Sequence, residues 1–208
     1  KTRLNDGGIW VTGNADGVFG RFNKPVDQVD GFWFTEPDQD LDVVQQGAAV
    51  VGIDRTSAQL IAFDPTTVRA AEGGEGALPA GADILMAGGT LATLVPNSGE
   101  LRAVRVDTAA GKPLVSSVAE GAEPIKVGKG AAMTITSAGE VVAVSADNDQ
   151  VTRLTPATGA MTGFAKPSKA EAGFDVGALT TMTSVGKRLV FLNGETGQLN
   201  VLGGGAAT

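Results

Sequence analysis

Short apolar runs rich in β-branched residues recur along the chain, each bounded by polar turns. They are Ile9-Trp10-Val11-Thr12, Ala49-Val50-Val51-Gly52-Ile53, Thr90-Leu91-Ala92-Thr93-Leu94-Val95, Val141-Val142-Ala143-Val144 and Leu189-Val190-Phe191-Leu192. Runs this short have the length of strands, not helices. A glycine stands just ahead of each, at Gly8, Gly47, Gly89, Gly139 and Gly186. A polar stretch follows each, at 14–17, 54–57, 96–99, 147–149 and 193–197. These stretches carry the Asn, Asp, Ser and Gly residues that tolerate left-handed or type I turn geometry. After each turn comes an apolar pair spaced three residues apart: Phe19 and Phe22, Leu60 and Phe63, Leu101 and Val104, Val151 and Leu154, Leu199 and Leu202. The first members are 41, 41, 50 and 48 residues apart. One unit therefore reads glycine turn, strand, polar turn, strand. It is a β-hairpin that repeats five times.

The spacing within the apolar pair is informative. Residues i and i+3 of a strand point to opposite faces. Both faces of the second hairpin strand are thus expected to be buried, as in a hairpin lying between two neighbouring sheets. Two more strands fit between successive hairpins. Leu41 to Val44, Ala82 to Met86 and Leu179 to Thr183 open units, while Val26 to Phe34, Val68 to Ala71 and Met161 to Phe164 close them. The stretches 70–81 and 167–174 read as loops, the second with room for one helical turn. No segment holds a 3.6-residue apolar period long enough for a real helix.

Four antiparallel strands in a unit of about 40–50 residues are the signature of a β-propeller blade. The fold class is therefore all-β: a β-propeller or an open propeller fragment of about five four-stranded blades, the last one incomplete. The chain reads as one propeller-like domain over 1–208, with blades at roughly 1–36, 37–78, 79–127, 128–174 and 175–208. Thr2-Arg3-Leu4 fits an inner strand for the first unit. The last unit stops at Leu202, before Gly203-Gly204-Gly205, without an outer strand. These uneven ends point to a piece of a larger propeller. The alternative is a five-blade ring closed by strand exchange between the termini. The start at Lys1 rather than Met fits the first reading.

Composition narrows the chemistry. The chain has 208 residues, and 30 are glycine, which the repeat places at turns. It contains no Cys, His or Tyr. Disulfides, thiolate zinc sites, thiol nucleophiles and every His-based triad or metal site are excluded within it. With 16 basic and 23 acidic residues the net charge is −7, which argues against nucleic acid and anionic membrane as partners. No stretch approaches the ~18 apolar residues of a membrane span.

The remaining motifs are judged against ordinary structural readings. Ser184-Val185-Gly186-Lys187 fits the S-x-x-K of acyl-enzymes but falls at a strand-to-strand turn, and its partner motifs are missing. Gly128-Lys129-Gly130 lacks the first Gly and the Ser or Thr of a phosphate loop. Asp38, Asp40 and Asp42 alternate as in a calcium loop, without its Gly and Glu, and are the metal candidates. Asp147 and Asp149 form a lesser acidic pair. Paired carboxylates would serve a glycosidase without His, yet stacking aromatics are few. Trp10 reads as core between blades. In Phe32-Trp33-Phe34, Trp33 faces opposite to its neighbours, either into the core or outward as a binding anchor. No catalytic residue and no cofactor is expected.

The stretch Leu4-Asn5-Asp6-Gly7-Gly8-Ile9-Trp10-Val11-Thr12, followed by Gly20-Arg21-Phe22-Asn23-Lys24-Pro25, resembles the start of the extracytoplasmic region of large actinobacterial cell-surface proteins that end in fibronectin type III repeats. The run from Leu60 to Pro65 is similar to the same region. The resemblance implies a propeller-like region after a membrane helix, in a protein of adhesion, sensing or scaffolding, with no catalytic motif to carry over. The expected function is a non-catalytic extracellular binding domain whose partner is a protein or a cell-wall glycan. Its expected location is the cell surface, anchored by an upstream helix, with no direct membrane contact by this segment. The alternatives are a carboxylate-dependent propeller enzyme acting on glycans and a structural spacer.

Overall fold

The computed structural model describes residues 8–107, 113–157, 163–186 and 188–203. Among them every regular element is a β-strand, apart from two 3-10 turns at Lys24–Val26 and Val115–Ser117. Among the described residues no helix is long and apolar enough to cross a membrane. The strands form five antiparallel sheets of three or four strands. Packing divides the chain into two units, Lys1–Ala80 with Val106–Ala122, and Gly81–Arg105 with Glu123–Thr208.

The first unit holds two sheets. One is β1 (Ile9–Gly13), β2 (Val18–Asn23) and β3 (Gln28–Phe34); the other is β4 (Leu41–Gln46), β5 (Ala49–Asp54), β6 (Gln59–Asp64) and β7 (Arg69–Ala77). The β5–β6 turn is held by its first residue. Asp54 Oδ1 accepts the N–H groups of Thr56 and Ser57 at 3.0 and 2.9 Å, so the turn amides are paired although Asp54 is buried. Phe63 is the centre of the core. Trp10 stacks on it at 4.7 Å, Phe19 tilts against it at 5.2 Å, and Trp33 meets it edge-on at 6.1 Å. The rings fit because β5 carries Gly52 beneath them. A Cβ there would stand 2.6 Å from Phe63 and 2.9 Å from Phe19.

The second unit holds three sheets. They are β8 (Asp83–Ala87), β9 (Thr90–Val95), β10 (Glu100–Arg105) and β11 (Ile125–Lys126); β12 (Ala131–Ile135), β13 (Val141–Ser145), β14 (Gln150–Leu154) and β15 (Ser168–Glu171); and β16 (Thr180–Val185), β17 (Arg188–Asn193) and β18 (Leu199–Leu202). Leu94, Leu101, Met133, Val141 and Leu154 join the first two of these sheets in one core. Val142, Val144, Val151, Leu189 and Phe191 join the last two. Asn193 repeats the device of Asp54, its Oδ1 accepting from Glu195 and Thr196.

The five expected hairpins are β1–β2, β5–β6, β9–β10, β13–β14 and β17–β18, each paired directly. Gly47, Gly89, Gly139 and Gly186 all take positive φ at the preceding turns, where glycine alone is unstrained. Three expectations change. The stretch 70–81 is largely strand β7, and Ser168–Glu171 of 167–174 is strand β15, not a helical turn. Both are outer strands held by backbone pairing, so they need no large side chains. The small residues of β7 also admit a close cover: a Cβ on Gly76 would meet Ala119 at 2.9 Å, beside the 3-10 turn. Third, both members of the apolar pair are buried in β6, β10 and β14, but Leu199 of β18 is 62% exposed. Only one face of its sheet packs on the neighbouring core. The inner strand expected over Thr2 to Leu4 lies outside the described residues, as do Met161, Lys187, Gly204 and Gly205.

Candidate functional site

Among the described residues each unit contains a hollow of several hundred Å³. In the first unit a cleft of about 510 Å³ lies between β3 and the β6–β7 turn, lined by Arg21, Asp30, Trp33, Thr66 and Arg69 among others. A bulge makes its acidic wall. The β2–β3 register shifts between Arg21 and Phe22, which leaves Asp30 without a partner across the ladder. Asp30 Oδ1 accepts from Arg21 Nε at 2.7 Å and its Oδ2 from Asn23 Nδ2 at 2.8 Å. These bonds, led by the Arg21 guanidinium, hold the Asp30 carboxyl below its ordinary value. Arg21 also donates to the Pro65 carbonyl of the facing turn. That turn is fixed by Asp64 Oδ1, which accepts from the Thr66 N–H at 2.8 Å and the Thr66 hydroxyl at 2.6 Å. Next to it Val68 holds φ 54°, a costly conformation for a β-branched residue. Its buried side chain, with its methyls pressed under Gly31, keeps it there.

In the second unit a hollow of about 550 Å³ lies against β12 and β16, with Asp83 and Pro96 at its wall. Its other lining residues are Ala131, Ala132, Met133, Ala178, Leu179, Thr180, Thr181 and Met182. Asp83 is its one ionisable lining residue. A single carboxylate among alanine, threonine and methionine supplies neither an acid–base pair nor a metal cage. Elsewhere in this unit Glu100 receives Lys126 Nζ at 2.6 Å and Arg102 Nη2 at 3.1 Å. Lys126 first, then Arg102, lower its carboxyl below the ordinary value. A lowered carboxylate is a charged structural partner, the opposite of a general acid held protonated.

The sequence candidates fall as follows. Asp38, Asp40 and Asp42 all stand exposed around the start of β4. Asp42 Oδ1 accepts its neighbour Val43 N–H at 2.7 Å, and the Asp40 N–H donates to Thr56 Oγ1 at 2.9 Å. Among the described residues no three acidic side chains gather as metal ligands would. Asp149 Oδ1 accepts the Val176 N–H at 3.1 Å, a bond that fastens a loop. Ser184 lies in β16 and donates its hydroxyl to the Ile135 carbonyl at 3.1 Å. Lys129 offers its carbonyl to Ser145 in a turn flanked by Gly128 and Gly130, both at positive φ. Trp33 packs against the Phe63 core while lining the cleft, and the exposed aromatics of its strand are Phe32 and Phe34, stacked at 6.1 Å. The Arg21–Asp30 pair was missed in the sequence. Its one trace there is a charged residue interrupting an otherwise aromatic and aliphatic outer strand.

No protein-family model matches the sequence, and no curated protein matches it. Solved structures do match in shape. Hsv2 of Kluyveromyces lactis aligns over 96% of this chain and 61% of its own, with a TM-score of 0.53 at 12% identity. Virginiamycin B lyase of Staphylococcus aureus, a catalytically inactive variant with quinupristin, aligns over 97% and 64%, at 0.52 and 15%. The dihydro-heme d1 dehydrogenase NirN aligns over 98% and 42%, at 0.61 and 11%. The chain thus spans less than two-thirds of the length of each of these structures. Their names include enzymes, and at such identity the likeness concerns the fold alone. With five antiparallel sheets of three or four strands among the described residues, and with the β-propeller protein Hsv2 among its structural neighbours, the chain has a β-propeller fold.

Proposed function

We propose that this chain is a non-catalytic binding scaffold from a bacterial surface-anchored protein, with a protein or a cell-wall glycan as its partner. The observation that carries the reading is the lining of the 550 Å³ hollow, where Asp83 stands alone among alanine, threonine and methionine. The absence of His and Cys from the whole sequence supports it. So does the state of Asp30 and Glu100, both held charged by ion pairs instead of poised to transfer a proton. The surface location rests on the resemblance of residues 4–12 and 20–25 to actinobacterial surface proteins with fibronectin type III repeats. In this role the sheets act as a rigid frame, and the turns and clefts between strands present contacts.

The test is a binding screen with the purified chain against peptidoglycan fragments, arrayed cell-wall polysaccharides and purified envelope proteins. Saturable binding to one class supports the reading. Binding to none, by a folded chain, counts against it.

A further inference from the structure

Two sheets, β1–β3 in the first unit and β16–β18 in the second, each leave one face open, unlike the strands that are buried on both faces. Every residue of β5 and of β13 is buried, and so are five of the six in β9. In the sheet β1–β3 the register sets Ile9, Val11, Phe22, Val29, Phe32 and Phe34 on one face, turned away from the Phe63 core. All but Phe22 are exposed, from 38% at Val29 to 68% at Phe34. In the sheet β16–β18 the register groups the apolar Val185, Val190, Leu192, Leu199 and Val201, with Thr181, Thr183 and Arg188 on the same face, turned away from the Phe191 core. Of its apolar members all but Val190 are exposed, from 42% at Leu192 to 65% at Val185. These two faces hold nine of the thirteen exposed large hydrophobic side chains among the described residues. Isolated exposed apolar residues are ordinary, but contiguous apolar faces mark contact surfaces.

The shape of the first face fits a sheet partner. Gly20 forms the floor of a notch: a Cβ there would stand 3.2 Å from Val29, 3.6 Å from Val11 and 3.8 Å from Phe32. The same device already joins the two sheets of the first unit, where Phe19 fills the space above Gly52. Within each unit, the cores that join neighbouring sheets are sheet against sheet.

We infer that both open faces are blade-to-blade contact surfaces, and that each is covered by a further antiparallel sheet of the same polypeptide with alternating apolar residues facing inward. Two observations choose this occupant. The open faces continue the stacking seen inside each unit, and the Hsv2 structures that match 96–97% of this chain leave about two-fifths of their own length outside the match. A second copy fits less well, because two copies would bring ten sheets where propellers typically have 4–8 blades. The inference does not depend on the binding role proposed above.

The chain has no cysteine, so single reporters can be placed on each face. Phe34→Cys and Ile9→Cys report the first face, and Val201→Cys and Leu199→Cys the second. Two reporters per face guard against one variant that fails to fold. Ser57→Cys, in an exposed turn, serves as the control. Labelling rates with a maleimide dye are compared between the 208-residue polypeptide and the whole polypeptide encoded by its gene. Fast labelling in the first and labelling slowed by about a hundredfold or more in the second is the expected result, with Ser57→Cys fast in both. Equal rates in the two polypeptides overturn the inference. Protection that appears in the 208-residue polypeptide and grows with its concentration also overturns it, because the occupant would then be a second copy.

Discussion

Gly52→Ala is the most revealing single substitution in the first unit. The change adds one methyl group in the middle of β5, at a position that shows no positive φ. Two effects oppose each other. Removing a glycine narrows the unfolded ensemble and on its own would stabilise by about 0.4–1 kcal/mol. The new Cβ would stand 2.6 Å from Phe63 Cε2, 2.9 Å from Phe19 Cε1 and 3.0 Å from Phe19 Cζ, well inside van der Waals contact. Neither ring has room to move. Both are fully buried, and Phe63 is also held by Trp10 at 4.7 Å and by Trp33 at 6.1 Å. Overpacking costs about 1–3 kcal/mol, and with two pinned rings against the new methyl the upper half of that range applies, so the net result is a destabilisation of about 1–2.6 kcal/mol. The assay is urea unfolding followed by tryptophan emission, because the two tryptophans of the chain both contact Phe63. Phe19→Leu in the Gly52→Ala background makes space above the new methyl. The double variant should therefore be more stable than the sum of the two single changes predicts, by about 0.5 kcal/mol or more. A Gly52→Ala protein as stable as the parent, or a strictly additive double variant, would refute the packing account.

Other expectations follow from the same geometry. Asp30→Asn removes a carboxylate whose folded-state pKa is lowered from 3.8 by Arg21 and Asn23. Its stabilisation is full above the unfolded-state value and lost as the pH falls through the folded-state value. The variant should thus be weaker at pH 7, by the ~0.2–1 kcal/mol of an exposed pair, and the difference from the parent should shrink as the pH falls below the ordinary carboxylate range and through the folded-state value, as read from urea midpoints. Asp54→Ala leaves the Thr56 and Ser57 amides without their acceptor, a loss of about 1–3 kcal/mol in the same assay. Phe32→Ser combined with Phe34→Ser should shift stability by only about 0.5 kcal/mol per site, because both rings are exposed, while reducing the binding of a hydrophobic dye.

Much of the fold was legible because the hairpin repeat is written in two independent signals. Turn residues such as Gly47, Asp54 and Gly139 mark where the chain reverses, and β-branched runs such as Val141 to Val144 mark what lies between. The outer strand β3 falls within the expected run from Val26 to Phe34, whereas β15 and most of β7 escaped because they are held by backbone pairing. Nothing in the run 69–77, which is alanine, glycine and charge, distinguishes a paired edge from a loop until β6 is seen beside it. The apolar pair overstated burial in β18 because spacing shows which residues oppose each other, not whether a neighbour covers both faces. The candidate site was less legible still. The cleft depends on a bulge that isolates Asp30, on Val68 at positive φ, and on a carbonyl at Pro65, and none of these has a spacing rule. The acidic run from Asp38 to Asp42 had such a rule, but its side chains stand apart.

The central claim is that this scaffold binds and does not react. The most direct measurement incubates the chain with the cell-wall glycan or envelope protein that it retains, then recovers the ligand for mass spectrometry. The account predicts saturable retention, unchanged by Asp83→Asn, with the ligand recovered chemically intact. Turnover of the ligand that is lost in Asp83→Asn would contradict it.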